Sequence, residues 1–147
     1  MAAPEFRLEQ VLKFRKEVER NQQLELAAAR EEHDEACALL TREETALQEL
    51  AQQFMERQQR GIDAHELLLY SDFSARKRIE IQNLRALVFD LEQKVQDKLE
   101  ALMAAAKDKK ALEIFKEKQM RILKQQRQHK ERDFMDEISI QKGGQSR

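Results

Sequence analysis

Gly61-Ile62-Asp63 is the one place in this chain where a long run of helix-forming sequence is told to stop. Gly61 is the only glycine before residue 143, and it follows Gln58-Gln59-Arg60, where a residue free to take positive φ closes a helix. Asp63 then reads as the N-cap of a second helix, with Glu66 three residues on and the apolar run Leu67-Leu68-Leu69 directly behind it. The only proline, Pro4, lies at the start, so nothing else breaks the periodic segments on either side. A short break between two such segments turns the chain back on itself. The fold expected is all-α, a single antiparallel coiled-coil hairpin over residues 1–147. Helix 1 is expected at about 5–60, the turn at 61–63, helix 2 at about 63–135 and a flexible tail at 141–147.

Composition agrees with a narrow seam and disagrees with a broad core: 37% of the residues are charged and 5% aromatic. From Phe6 to Arg60 apolar residues recur at alternating spacings of three and four, through Leu8, Leu12, Leu26, Ala29, Ala36, Leu40, Leu47, Leu50 and Phe54. Glu19, Gln22, His33 and Glu43 also fall on this stripe. Val11, Phe14 and Val18 form a second, offset stripe, which predicts a drift of register near residues 19–25. The second helix carries Ile81, Leu84, Val88, Leu91, Val95, Leu102, Ala105 and Leu112 in one heptad frame, interrupted by Lys98, Lys109 and Lys116. Helices of roughly 55 and 70 residues measure about 80 and 105 Å at 1.5 Å per residue, so the second must outrun the first.

Folding at residue 62 sets Phe54 against Tyr70, Leu40 against Leu84, Leu12 against Leu112 and Phe6 against Lys118. Beyond that point Met120, Ile122, Leu123, Phe134, Met135, Ile138 and Ile140 have no helix of the same chain to cover them, which implies disorder or a partner.

The net charge of −1 conceals a strong segregation. Residues 17–56 hold eleven acidic and three basic side chains, whereas residues 107–132 hold ten basic and four acidic. Lys116, Lys118, Arg121, Lys124 and Arg127 are expected to gather opposite Lys13, Arg15 and Lys16, where like charge disfavours a closed pair and invites an acidic partner. The bland reading is a solvated coiled-coil face. Nucleic acid is disfavoured, because no aromatic residue interleaves with the basic ones from Lys116 to Arg132.

His33, His65 and His129 read as scattered, without the second His or Cys on a neighbouring helix turn that a metal site needs. Cys37 is the single cysteine, so no internal disulfide forms, and it reads as a small semi-buried group beside Ala36. Carboxylates on a two-helix surface stay solvated, and the chain has neither a phosphate-cradling glycine loop nor a nucleophile motif. No enzyme activity, cofactor or metal is expected. The start of the chain lacks the apolar core of a secretory signal and no stretch is apolar enough to span a membrane, so a soluble protein is expected on the side where it is made. Tyr70 and Phe73 stand three apart just after the turn. Either they cap the hairpin against Phe54 and Leu50, or they begin a docking stripe that continues through Lys77, Ile81 and Leu84.

Three stretches in order, Phe6-Arg7-Leu8-Glu9-Gln10-Val11-Leu12, then Gly61 with Tyr70 and Phe73, then Met135-Asp136-Glu137-Ile138-Ser139-Ile140, resemble the flagellar type III export protein family FliJ over nearly the whole chain. The resemblance implies a bacterial cytoplasmic protein, peripheral at the membrane through the export apparatus and similar in fold to the stalk subunit of rotary ATP synthases. It implies three kinds of partner: the hexameric export ATPase FliI around the end bearing the termini, the export-gate protein FlhA, and the chaperones of export substrates. Leu8, Leu12, Lys13, Arg15, Lys116, Lys118, Arg121, Leu123 and Lys124 are the expected ATPase-ring contacts. Tyr70, Phe73, Lys77 and Leu84 are the expected gate contacts, although an apolar residue would be expected where Lys77 stands. The competing reading is a generic structural coiled coil that homo-oligomerises.

Overall fold

The computed structural model describes residues 4–145, and the side chains of residues 7–144. It contains α1 (Pro4–Arg60) and α2 (Ala64–Gln145), packed against each other as a hairpin, with no strand among the described residues. Gly61 makes the turn at φ 98°, a backbone region that costs an L residue with a Cβ. Its amide donates to the Gln58 carbonyl at 3.2 Å, tightening the last turn of α1. Asp63 occupies the N-cap position: its carbonyl accepts the Leu67 amide at 3.1 Å, the first bond of α2. Glu66 turns across the hairpin, with its carboxylate 3.9 Å from the Arg57 guanidinium.

Two compact units make up the chain, Arg20–Met103 and the pair Met1–Glu19 with Ala104–Arg147. In the first, the turn joins two antiparallel helices whose covered residues follow the heptad count. On α1 these are Gln22, Leu26, Ala29, His33, Ala36, Leu40, Glu43, Leu47, Leu50 and Phe54. On α2 they are Tyr70, Ser74, Lys77, Ile81, Leu84, Val88, Leu91, Val95, Lys98 and Leu102. Small Ala29 and Ala36 are among the most deeply buried, as close approach of two helices requires. Phe54 stacks on Tyr70 with centroids 3.8 Å apart and planes within 5°.

In the second unit Leu8, Leu12, Arg15 and Glu19 face Ala105, Lys109, Leu112 and Lys116 across the same kind of seam. Leu12 and Ala105 are its buried residues. No register drift occurs near residues 19–25. Val11 and Phe14 stay exposed, and the heptad count passes through Arg15, Glu19 and Gln22 instead. Two of these polar residues have partners there, Glu19 at 2.8 Å from Lys109 and Arg15 donating to Asp108 at 3.4 Å, whereas the Gln22 side-chain oxygen is buried without one.

α2 also runs on to Gln145, past the end expected near residue 135 and into the segment read as a flexible tail. Asp136 to Lys142 contains no helix breaker, so the helix ends only just beyond the Gly143-Gly144 pair. Residues 146–147 and the Phe6 side chain, expected opposite Lys118, lie outside what is described.

Candidate docking surfaces

Among the described residues, six acidic side chains of α1 are answered by basic ones of α2. Within the turn unit Glu43 accepts from Lys77 at 2.7 Å, Glu44 from Arg85 at 3.2 Å, Glu32 from Lys94 at 3.3 Å and Glu25 from Lys98 at 2.8 Å. Within the terminal unit Lys109 meets Glu19 and Lys116 meets Glu9. The Glu9 carboxyl is held below its ordinary range by the hydrogen bond from Lys116. Lys77 and Lys109 are held above theirs, chiefly by hydrogen bonds to Glu43 and Glu19. Five of the eleven acidic residues of 17–56 thus help to pair the helices, whereas only Lys109 and Lys116 of the ten basic residues of 107–132 do.

This pairing redistributes the expected ATPase-ring contacts. Leu12 is 6% exposed and belongs to the seam, and Leu8 is half-buried beside it. Arg15 and Lys116 are engaged with Asp108 and Glu9, so like charge does not prevent closure of this end. Lys13 lies open to solvent, in a cleft of about 460 Å³ lined by Glu9, Gln10, Leu12, Lys13, Lys16 and Lys116. Arg121, Leu123 and Lys124 lie on the part of α2 where every residue from Arg121 to Glu137 is exposed, and Lys118 is exposed just before it, ahead of half-buried Gln119. Met120 and Ile122 are more than half exposed in the same stretch. This segment is helix with basic and apolar groups on its surface and, among the described residues, no α1 side chain covers it.

The expected gate contacts divide as well. Tyr70, Lys77 and Leu84 are seam residues, a heptad apart and half-buried against α1. The lysine at position 77 has its reason there: it bridges Glu43 and Glu80, and its ammonium sits 5.8 Å from the centre of the Phe73 ring. Phe73 flanks the seam and remains 41% exposed. It borders a groove of about 250 Å³ with Leu50, Phe54, Arg57, Ile62, Glu66 and Leu69 among its walls. Leu69 and Ile62 were not singled out from sequence for this surface; the run Leu67-Leu68-Leu69, too long for one face of a two-helix seam, was the available signal.

His33 and Cys37, four residues apart, do share a helix turn, which corrects the reading of the histidines as lacking such a neighbour. The Cys37 sulfur lies 3.6 Å from His33 Nε2, half-buried, and the Thr41 hydroxyl donates to the Cys37 carbonyl at 3.0 Å. Among the described residues no group of three or more His, Cys, Asp or Glu is placed to hold a metal ion.

A two-helix antiparallel hairpin with a charged seam defines a coiled-coil protein, and its exposed apolar side chains lie along both helices as well as at the turn and beyond Gln119. None of its described helices is long and apolar enough to cross a membrane. The family described as flagellar FliJ protein matches residues 4–147, and the chain belongs to that family, a component of the flagellar type III export apparatus. No curated protein and no solved structure matches the chain.

Proposed function

We propose that the chain is a non-enzymatic, stalk-like adaptor of flagellar export, one that docks its basic terminal end in the ring of the export ATPase FliI. The observation that carries this reading is the helix from Arg121 to Glu137, basic in its first half and exposed at every residue, in a member of the FliJ family. Lys118, Arg121 and Lys124 supply charge for an acidic ring lining, and Met120 and Leu123 supply apolar contacts that tolerate a mismatch between the symmetries of ring and stalk. A second surface, centred on Phe73 and Leu69, docks the export gate FlhA. The same adaptor escorts substrate chaperones, and it works at the cytoplasmic face of the membrane, held there through the gate rather than by lipid.

The test is charge reversal. Changing Lys118, Arg121 and Lys124 together to Glu should abolish stimulation of the ATPase while leaving helix content and gate binding in place. Stimulation by the unaltered chain should fall as salt rises, since exposed charges are screened beyond about 8 Å at physiological ionic strength. Full stimulation by the triple variant, or stimulation indifferent to salt, overturns electrostatic docking.

A further inference from the structure

On the unaccompanied part of α2, one stripe does not continue the seam. Met120, Lys124, Arg127, Glu131, Phe134 and Ile138 follow one another at spacings of four and three, so they share a face of the helix. Met120 is 60% exposed and Phe134 63%, Ile138 is half-buried, and the charged residues between them are open to solvent. The stripe is its own complement when reversed: Met120 falls opposite Ile138, Lys124 opposite Phe134, and Arg127 opposite Glu131.

The flanking charges carry the same symmetry. Residues 116–130 hold six basic side chains and one acidic, whereas residues 131–142 hold four acidic and two basic. A helix that is basic along one half and acidic along the other attracts a reversed copy of itself and repels a parallel one. His129 falls at the two-fold axis but on the opposite side of the helix, where it pairs with Asp133 at 3.6 Å, so it takes no part.

We propose that residues 120–138 form an antiparallel, two-fold symmetric coiled coil with the same segment of a second copy of this chain. Each apolar residue of the stripe then meets an apolar residue or a lysine stem, and each Arg127 meets Glu131 of the other copy, a contact made twice in the dimer, as an isologous contact requires. The inference does not rest on the ATPase reading. It does use the same stretch of helix, so a ring and a second copy exclude one another there.

Sedimentation equilibrium of the full chain alone tests it. The unaltered protein should show a concentration-dependent monomer–dimer equilibrium. Arg127→Glu and Glu131→Arg should each weaken dimerisation by about tenfold or more, the equivalent of 1.4 kcal/mol, with helix content unchanged because both sites are exposed. An equimolar mixture of these two single variants should form heterodimers, since each then presents what the other lacks. The double variant Arg127→Glu/Glu131→Arg should dimerise like the unaltered chain. A monomer at every attainable concentration overturns the proposal, as does a dimer indifferent to both reversals or a mixture that fails to associate.

Discussion

Phe73 keeps 41% of its surface exposed while Tyr70, one turn earlier, lies in the seam and stacks on Phe54. Two aromatics close in sequence thus have different tasks, one holding the hairpin and the other bordering a groove. Phe73→Ala should cost about 1 to 2 kcal/mol, below the ~3 to 5 kcal/mol of a fully buried Phe, and should lower binding to the FlhA gate. Thermal melts and binding per folded molecule separate the two effects; a collapse of the melt with unchanged gate binding would make Phe73 a core residue. The sequence placed both rings on one side of the helix and left open whether they cap or dock. That choice depends on what α1 offers opposite each of them, and a single helix read alone does not contain that information.

Along the elements, the seam is held by small apolar groups and by charge pairs. The Gln22 Oε1 is buried without a hydrogen-bond partner. A buried acceptor left unpaired costs about 1 to 3 kcal/mol, so Gln22→Leu should raise the unfolding free energy by an amount in that range, read from the urea midpoint at constant slope. The turn was legible because a glycine at φ 98° has no competitor within reach in the sequence. The heptad frame was legible wherever its positions are apolar. Glu19 and Gln22 were placed on the seam from sequence, and the error was the drift of register inferred near residues 19–25 from Val11, Phe14 and Val18, of which the first two are exposed and Val18 is half-buried beside Glu19. The true seam there depends on Lys109, whose relation to Glu19 emerges only when the two helices lie side by side. The end of α2 was placed short because the chain around the Gly143-Gly144 pair was read as a frayed tail, whereas the helix runs through the pair to Gln145.

For the molecule as a whole, the cross-helix pairs set the pH range over which the hairpin keeps its full stability. Glu9 is depressed in the folded chain, so its contribution is present above its ordinary 4.5 and is lost as pH falls from there through the lowered folded value. Lys77 and Lys109 are raised, so theirs is present below 10.5 and is lost as pH rises through the raised folded values. Denaturation midpoints should therefore be flat across neutral pH and fall at both extremes. Glu9→Gln should make the acid limb shallower and leave the alkaline limb alone, whereas Lys109→Met should do the reverse. An acid limb unchanged in Glu9→Gln would show that the Lys116 pair contributes nothing. Sequence revealed the charges that take part and their segregation, but not which of them pair across the hairpin, since a run of lysines looks the same whether its partner is the neighbouring helix or another protein.

The turn at Gly61 has a kinetic consequence. Pairs close to it, such as Glu43 with Lys77, are separated by 34 residues of chain, whereas Glu9 and Lys116 are separated by 107. The entropy of bringing two points together grows with the length of chain between them, and contacts far apart in sequence form late. Once the bend is nucleated, however, each pair formed shortens the loop that the next must close, so the hairpin zips from the bend toward its termini. The segment that closes last, and opens first, is the one whose continuation is left bare for a partner.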